Sequence, residues 1–309
     1  MREVLITGGG GFIGRNLAIG LLCKGFSVRC LDRVKPAWLS AGIDFIEADF
    51  TATHLLESAF QNCETVIHLA STTLPKTSND DPEFDVSTNL IGAIRLLEAS
   101  VRNHVKNFFF LSSGGTVYGI PENLPVSESH QTNPICSYGI VKLAIEKYLR
   151  LFHKLYNLNT CSIRLANPYG CYQRVDATQG AIAVFCHNAI NDIPINIWGD
   201  GSVSRDFIYI DDVIDALIKL IHVNYSGNEI NIGSGTPISI NQILAHIESA
   251  LHKKITVNYF EARNFDVPHI CLDSTKAKQL LRWSPQIPID DGIAMTIQWQ
   301  KKEAATKKI

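Results

Sequence analysis

Two side chains capable of acid–base chemistry, Tyr138 and Lys142, stand four positions apart in a segment with helical periodicity. Residues at i and i+4 lie on one face of an α-helix, so the phenol and the ammonium are expected to be neighbours. An adjacent positive charge favours the phenolate, and we expect it to lower the pKa of Tyr138 from its usual value of ~10. Such a pair can move the proton of a hydroxyl group while a hydride leaves the attached carbon. Because Tyr-x-x-x-Lys is common on helix surfaces, a second feature must support this interpretation.

A glycine-rich segment near the start of the chain supplies that feature. Gly8, Gly11 and Gly14 follow the apolar run Val-Leu-Ile and precede a segment with helical spacing. Glycines at a strand-to-helix junction let the backbone approach a pyrophosphate, which the amides and dipole of the helix start then bind. Asp32 ends the next predicted strand, near the spacing at which a carboxylate accepts the ribose hydroxyls of a dinucleotide. A carboxylate there repels a 2′-phosphate, so the sequence favours NAD, while Arg33 keeps NADP open as an alternative.

The composition excludes several classes of protein. The chain has 309 residues, of which 46% are hydrophobic and 19% charged, so it can bury a sizeable core. Its 28 basic and 30 acidic residues leave a net charge of −2, which offers no electrostatic footprint for nucleic acid or an anionic membrane. No apolar run reaches the ~18 residues of a membrane span and no signal peptide is recognisable, so we expect a cytoplasmic protein. The cysteines and histidines form no metal-ligand pattern, and we predict no metal site.

The spacing of apolar residues predicts the elements that position these groups. Strands are predicted at 3–7, 27–32, 44–47, 65–69, 107–112 and 160–165, alternating with helices at 12–24, 51–60, 87–103 and 137–156. Further strands are predicted at 195–198, 206–210, 229–232 and 255–259, with helices at 211–221 and 239–251 and two at the end of the chain. This alternation predicts an α/β fold, a doubly wound parallel sheet of the Rossmann type with a smaller C-terminal substrate-binding lobe. We expect residues 1–166 and 207–232 to form the NAD-binding domain, and residues 167–206 and 233–309 the substrate domain.

Taken in order, these motifs resemble the extended short-chain dehydrogenase/reductases, of the NAD-dependent nucleotide-sugar epimerase/dehydratase group. The resemblance covers nearly the whole chain. The glycines have the spacing Gly-x-x-Gly-x-x-Gly, and they are followed by the segments SSGGTVYG, SYGIVK, RLANPYG, GDGSVSRDFIYIDD, EINIGSG, RNFDVP and LDSTKAKQLLRW. The later segments are most similar to those of UDP-hexose 4-epimerases.

The resemblance implies roles for further residues. Those it assigns to the cofactor, beside the glycines and Asp32, are Phe12, Ile13, Asp49, Phe50, Leu69, Ala70, Asn89, Ser112, Tyr138 and Lys142. Those it assigns to the nucleotide diphosphate are Asn167, Arg205, Arg263 and Asp266, and a dianionic pyrophosphate does attract guanidinium groups. Trp198, in the strand at 195–198, would flank the uracil. The helices at 87–103 and 137–156 would form a four-helix bundle across a two-fold axis, which implies a homodimer.

The chain departs from the family pattern at one catalytic position. Four residues before Tyr118, where the family has a serine or threonine that hydrogen-bonds the reacting hydroxyl, this chain has Gly114. The candidates for that catalytic donor are therefore Ser113, Thr116 and a water in the space left by the absent side chain, and we favour Thr116. We expect a serine at position 114 to be tolerated. The acidic pair of the dehydratases is replaced by Gly115 and Thr116, which disfavours dehydration.

Together these features predict an NAD-dependent 4-epimerase of a UDP-hexose, acting in surface-polysaccharide or sugar-nucleotide metabolism. Tyr138 would take the proton of the 4-hydroxyl, and Lys142 would bind the nicotinamide ribose and tune Tyr138. A 4-ketoreductase of a nucleotide-activated 6-deoxy-sugar that uses NADH or NADPH is the first alternative. A catalytically weak, cofactor-binding regulator is the alternative from another class.

Overall fold

The chain forms twelve strands and ten helices within the residues that the computed structural model describes, which are 3–51, 53–175, 180–223, 225, 228–261 and 267–306. The strands are β1 Glu3–Thr7, β2 Ser27–Asp32, β3 Ile43–Glu47, β4 Thr65–His68, β5 Asn107–Ser113, β6 Asn159–Leu165, β7 Asn167–Tyr169, β8 Ile195–Trp198, β9 Ser204–Tyr209, β10 Asn228–Ile232, β11 Pro237–Ser239 and β12 Val257–Phe260. The helices are α1 Phe12–Cys23, α2 Thr53–Phe60, α3 Pro82–Asp85, α4 Ile91–Arg102, α5 Ser137–Tyr156, α6 Ala181–Ile190, α7 Ile210–His222, α8 Ile240–Leu251, α9 Thr275–Leu281 and α10 Ile289–Thr306. A π-helical turn, Val86–Leu90, joins α3 to α4.

Seven strands form one parallel sheet in the order β10-β6-β5-β4-β1-β2-β3. Alternate residues of a strand point to opposite faces, and here they enter two separate cores. Val4 and Ile6 of β1 pack with α1 and α7, whereas Leu5 packs in the cluster that contains Leu97 of α4 and Ile145 of α5. Helices therefore cover both faces of the sheet, which explains why its central strands are almost continuously apolar.

The order of the strands reverses between β1 and β4, which are neighbours although β2 and β3 lie between them in sequence. In a doubly wound sheet, ligands bind outside the carboxyl ends of the strands at such a switch point. The segments that begin there are the glycine-rich turn after β1 and the residues Leu69 and Ala70 after β4. The predicted doubly wound fold is confirmed, and the glycine-rich turn, Leu69 and Ala70 lie at its switch point.

Two smaller sheets belong to the C-terminal half. β9 lies between β7 and β11, parallel to the first and antiparallel to the second, and β12 pairs in parallel with β8. Helices α6, α8 and α10 pack against one another beside these sheets. β10 returns to the large sheet beside β6, although the domain boundaries themselves remain a prediction. None of the helices that the structure describes is long and apolar enough to cross a membrane.

The predicted strands of the large sheet are each confirmed to within one residue at either end. The predicted start of the helix at 87–103 is wrong, because helical structure begins at Pro82. The Asp81 side chain accepts a hydrogen bond from the amide of Phe84, and a proline in the first turn lacks the N–H that a helix start leaves unpaired. β7, β11 and α6 were not predicted.

Candidate active site

The glycine-rich turn brings the start of α1 against the end of β4. Gly8 has a φ of +77°, and a Cβ there would lie 2.8 Å from the amide nitrogen of Ala70. A Cβ on Gly14 would overlap the carbonyl oxygen of Gly8, so both positions require glycine. Gly11 is the N-cap of α1 and provides no side-chain cap, which leaves the first amides of the helix available to a ligand. This turn fits the pyrophosphate of a dinucleotide.

Asp32 lies at the glycine-rich turn, as predicted. Its Oδ2 accepts a hydrogen bond from the amide of Gly10 at 2.9 Å, and its Oδ1 accepts one from the amide of Arg33 at 2.7 Å. The Arg33 side chain itself is exposed. The carboxylate at the end of β2 is therefore held beside the turn, where a ribose would follow the pyrophosphate.

The other predicted cofactor residues differ in how their side chains are used. Phe12 and Ile13 begin α1 and are half-buried, and Asp49 caps Thr51 through hydrogen bonds at 2.9 and 2.7 Å. Phe50 is buried, with its ring centroid 5.4 Å from that of His68. The hydroxyl of Ser112 donates to Glu146 at 2.6 Å, so this side chain faces α5, and its assignment to the cofactor stays a prediction.

Tyr138 and Lys142 lie in the first two turns of α5 and are neighbours, as predicted. The Lys142 Nζ is 5.3 Å from the centroid of the Tyr138 ring. It donates a hydrogen bond to the carbonyl oxygen of Leu111 at 2.8 Å, which fixes the lysine to the carboxyl end of β5. The side chain of Lys142 is almost fully buried, in contact with the face of the Phe110 ring. The pair thus lies at the same edge of the sheet as the glycine-rich turn.

Burial dominates the electrostatics of this pair. It lowers the pKa of Lys142 to about 8, against the opposing influence of Asp85 and Glu146. It raises the pKa of Tyr138 well above its usual value, and Cys136 and Asp85 act in the same direction. The expectation that Lys142 lowers the pKa of Tyr138 is therefore wrong for the protein without cofactor, because desolvation of the phenolate outweighs the ammonium.

The loop after β5 carries the candidate hydroxyl donors. A Cβ on Gly139 would lie 2.9 Å from the carbonyl oxygen of Thr116, so Thr116 packs against the turn of α5 that holds Tyr138. The Thr116 Oγ1 is buried and has no hydrogen-bond partner among the residues that the structure describes. An unpaired buried hydroxyl is costly. Because this oxygen is shielded from solvent, donation to a substrate requires that it become accessible, and its role as donor stays a prediction. Ser113 lies on the other side of Gly115, whose Cβ position is 3.9 Å from the Ser113 Oγ.

A side chain at Gly114 would meet the side chain of Leu272. A Cβ there would overlap the Cδ1 of Leu272 and lie 3.0 Å from its Cδ2 and 3.2 Å from the carbonyl oxygen of Leu165. Leu272 is fully buried, and its amide donates to the Asp206 carboxylate at 3.0 Å, which holds its backbone in place. A serine at position 114 therefore requires the Leu272 side chain to shift, and whether it is tolerated stays a prediction.

The predicted substrate residues are partly described. Asn167 begins β7, and its Oδ1 is 3.6 Å from the Cβ position of Gly115, beside the candidate donors. Trp198 ends β8, is 44% exposed and stacks on Phe260 with ring centroids 5.9 Å apart. Arg205 in β9 donates to the carbonyl oxygens of Ser204 and Pro268. Arg263 and Asp266 lie outside the described residues.

Asn89 lies in a buried polar cluster that the sequence reasoning missed. Its Nδ2 donates to Asp85 at 2.8 Å, and its Oδ1 accepts from the amide of Thr72 at 2.9 Å. The π-helical turn contains Asn89, and such turns are frequent at functional sites. The signal in the sequence was an acidic residue four positions before Asn89, on the same helical face.

The sequence reasoning also missed a buried ion pair between α5 and β6. Arg164 of β6 and Glu146 of α5 are each 3% exposed and 2.7 Å apart. The guanidinium also donates to the hydroxyl of Tyr118, which in turn donates to Asn231. A single arginine inside the apolar strand TCSIRL was the signal that a carboxylate must face it. Among the described residues, no group of three or more potential ligands is arranged to hold a metal ion.

Comparison with known proteins identifies the family. Residues 4–233 match the NAD dependent epimerase/dehydratase family. The UDP-glucose 4-epimerase of Mycolicibacterium smegmatis is 34% identical over 312 residues, which cover 98% of this chain and 99% of that protein. A dTDP-4-dehydro-6-deoxyglucose reductase of Escherichia coli is 35% identical over 307 residues, which cover 96% of each chain. The crystal structure of the Thermotoga maritima UDP-glucose 4-epimerase with UDP-glucose has a TM-score of 0.94 at 32% identity and covers 98% of this chain and 99% of that chain. The sequence resemblance is confirmed, and the chain belongs to the NAD dependent epimerase/dehydratase family.

Proposed function

We propose that this chain is an NAD-dependent 4-epimerase of a UDP-hexose. The observation that carries the proposal is that Tyr138 and Lys142 are neighbours at the carboxyl edge of the parallel sheet. Thr116, whose buried hydroxyl has no partner among the described residues, packs against the same helical turn through its carbonyl oxygen. That combination provides a base, a neighbouring cation and a donor for one alcohol oxygen. The similarity to UDP-glucose 4-epimerases over almost the full length supports the same conclusion.

NAD, held by the glycine-rich turn and Asp32, would supply the hydride acceptor and donor that inversion at carbon 4 of the sugar requires. Tyr138 takes the proton of the 4-hydroxyl and later gives it back. Lys142 is an ammonium below a pH of about 8, and its charge, 5.3 Å from the centre of the Tyr138 ring, opposes the burial that disfavours the phenolate during proton transfer. The Thr116 hydroxyl donates to the reacting oxygen, with Ser113 as the second candidate.

Inversion at carbon 4 requires that the 4-keto sugar rotate in the site while the nucleotide stays bound. We assign the described residues Asn167, Trp198 and Arg205 to the nucleotide, together with Arg263 and Asp266 as predicted from the sequence. We assign Gly8, Gly11, Gly14 and Asp32 to NAD, because the turn they form lies at the switch point of the sheet. The remaining cofactor assignments are Phe12, Ile13, Asp49, Phe50, Leu69, Ala70, Asn89 and Ser112. A homodimer, a cytoplasmic location and a role in making surface polysaccharide complete the proposal.

A second candidate function is a 4-ketoreductase of a nucleotide-activated 6-deoxy-sugar. It is favoured by the Escherichia coli reductase, which is 35% identical over nearly the whole chain. Both reactions use Tyr138 as the acid–base group and transfer a hydride at carbon 4 of the sugar. They differ in how they use the cofactor. An epimerase regenerates its cofactor in every cycle, whereas a reductase consumes one reduced cofactor for each product.

Proton NMR of the NAD-loaded protein separates the two functions. With UDP-glucose or UDP-N-acetylglucosamine and no added reductant, we expect the signals of the 4-epimer to appear without net change in the cofactor. Consumption of NADH or NADPH with a dTDP-4-keto-6-deoxy-sugar, and no epimerisation, would establish the reductase instead. Binding of NAD without either reaction would support the alternative of a catalytically weak, cofactor-binding regulator. Tyr138→Phe is the matched control, because any product it forms at the wild-type rate does not depend on the proposed base.

A further inference from the structure

The carboxylate of Asp85, at the end of α3, accepts three hydrogen bonds from side chains of three different segments. The side chain is fully buried. Its Oδ1 accepts from the Thr73 hydroxyl at 2.7 Å and from the Asn89 amide at 2.8 Å, and its Oδ2 accepts from the Ser137 hydroxyl at 2.7 Å. Hydrogen bonds to an ionised acceptor are about twice as strong as neutral ones. The carboxylate therefore joins the segments of Thr73, Asn89 and Ser137 firmly, and we call this set of contacts the Asp85 junction.

That junction holds the first turn of the helix that carries Tyr138. The N-cap residue of α5, Cys136, makes no side-chain cap, so the first amides of the helix need other acceptors. The amide of Ser137 donates to the Asn79 side chain at 2.9 Å, and that of Tyr138 donates to the Ser78 hydroxyl at 3.0 Å. The helix is therefore capped by a segment that lies nearly sixty residues earlier in the chain.

The same segment begins at the cofactor edge of the sheet. Thr72 and Thr73 follow Leu69 and Ala70 after a single serine, and the amide of Thr72 donates to the Asn89 side chain. A continuous set of hydrogen bonds thus leads from the residues after β4, through Asn89 and Asp85, to Ser137. The position of Tyr138 relative to the cofactor edge depends on this set.

Asp85 and Glu146 are the two carboxylates whose charges favour the ammonium form of Lys142. Burial lowers the pKa of Lys142, Asp85 is the largest influence that raises it, and Glu146 is the next. Glu146 already pairs with Arg164 at 2.7 Å. Of the other titratable groups around the site, His68 is neutral because burial lowers its pKa to about 3, and burial raises the pKa values of Tyr138 and Cys136.

We propose that Asp85 is a positioning residue for the proposed epimerase reaction. Its carboxylate anchors the first turn of α5 at the cofactor edge through Ser137, and it also supplies negative charge to Lys142 of the same helix. The role rests on the proposed function, because Asp85 acts through Tyr138 and Lys142 and touches neither the sugar nor the cofactor.

The test uses a measurement that needs no substrate. In NAD-loaded protein labelled with ¹³Cε-lysine, the Lys142 resonance is assigned with Lys142→Met and titrated by NMR. Asp85→Asn keeps the shape of the side chain and removes the charge, and we expect it to lower the titration midpoint of Lys142 by about 1 pH unit. Thr73→Val removes one hydrogen bond from the same carboxylate and keeps the charge, so the midpoint should stay within about 0.3 units of the wild type.

The turnover of Asp85→Asn should depend on pH in accordance with the lowered titration midpoint of Lys142. A midpoint of about 8 that falls by about 1 unit cuts the ammonium fraction at pH 8 roughly fivefold and leaves it nearly unchanged at pH 6. The loss should appear in kcat rather than in KM for the UDP-sugar, because the nucleotide residues are untouched. If the wild type does not epimerise any UDP-sugar, the proposed function fails while the titration still decides the role of Asp85.

A folded Asp85→Asn protein whose Lys142 titrates like the wild type would overturn the role of Asp85 as a negative charge at Lys142. Ser137→Ala removes the anchor and keeps the charge, so it should lower turnover about tenfold at every pH without moving the midpoint. Wild-type turnover in Ser137→Ala would overturn the anchoring role, and this variant decides that half of the proposal even if Asp85→Asn does not fold.

Discussion

The hydroxyl of Thr116 and the phenol of Tyr138 divide the proposed proton chemistry between them. Tyr138→Phe deletes the acid–base group and should lower turnover by about 10²–10⁴. Thr116→Ala removes a single donor to the reacting oxygen and should cost roughly 10² at most. Because the Thr116 Oγ1 has no partner within the described part of the chain, removing it should leave stability unchanged or slightly improved.

Steady-state turnover of both variants on the best UDP-sugar checks this division, with Ser113→Ala as the matched control for the loop. Full activity in Tyr138→Phe would end the proposed mechanism. Full activity in Thr116→Ala with a large loss in Ser113→Ala would transfer the donor role to Ser113, whose hydroxyl lies on the other side of Gly115.

Asp32 should decide the choice of cofactor. Its carboxylate is fixed by the amides of Gly10 and Arg33 and cannot turn away from a 2′-phosphate. NAD is therefore expected to bind more tightly than NADP, and Asp32→Ala should weaken NAD by about 1–3 kcal/mol through loss of a charged acceptor. Calorimetric titration with both cofactors measures this. Tighter binding of NADP by the wild type would assign the cofactor contact to Arg33 instead.

At the scale of elements, the loop after β5 is shaped by its contact with the C-terminal half of the chain. Leu272 fills the position that a side chain on Gly114 would need. Gly114→Ser should therefore lower the free energy of unfolding by about 1–3 kcal/mol, the usual effect of overpacking a core. In a Leu272→Ala background the same change should cost less than about 1 kcal/mol, because the space is then open.

Urea unfolding of the two single variants and the double variant measures this coupling. Gly115→Ser is the control, since nothing lies closer than 3.6 Å to its Cβ position, and it should remain within about 0.5 kcal/mol of the wild type. Equal destabilisation by Gly114→Ser in both backgrounds would mean that Leu272 is not the obstacle.

The sequence predicts an element well when residues close to it in sequence determine its structure, and poorly when distant residues do. The strands of the large sheet are buried on both faces, so their apolar runs mark them to within a residue. β7 has three residues and contains Pro168, and only its pairing with β9 makes it a strand. The glycine-rich turn was predictable because the spacing of its glycines is typical of turns that bind a dinucleotide. The Asp85 junction was not, because its partners come from segments far apart in sequence.

At the scale of the whole molecule, the two halves of the chain meet at the site through buried polar side chains. Asp206 of β9 binds the amides of Ser234 and Leu272, and Leu272 in turn packs on Gly114 beside β5. Asn231 of β10 binds the hydroxyl of Tyr118 and the carbonyl of Val126. The loop that carries the candidate donors is thus held from the C-terminal half, which explains why residues more than a hundred positions apart shape one cleft.

The outer face of α5 predicts how two copies of the chain associate. Ile140, Tyr148, Leu151 and Leu155 are 36–59% exposed, and their spacing of 8, 3 and 4 residues returns them to one side of the helix. Ile91 at the start of the neighbouring α4 is also exposed. Exposed apolar residues on one side of a helix are typical of an association site, and pairing this side across a two-fold axis would bury the same face on both copies.

We therefore expect a homodimer of about 68 kDa, twice the chain mass of 34.2 kDa, by light scattering at micromolar concentration. Leu151→Glu combined with Leu155→Glu places two charges in the middle of that face and should give monomers, since unpaired charges at the centre of an interface are strongly unfavourable. Ile193→Glu changes an apolar residue of similar exposure outside α5 and should remain dimeric. A wild-type protein that is monomeric under these conditions, or a double variant that stays dimeric, would mean that the exposed face of α5 is not the contact between copies.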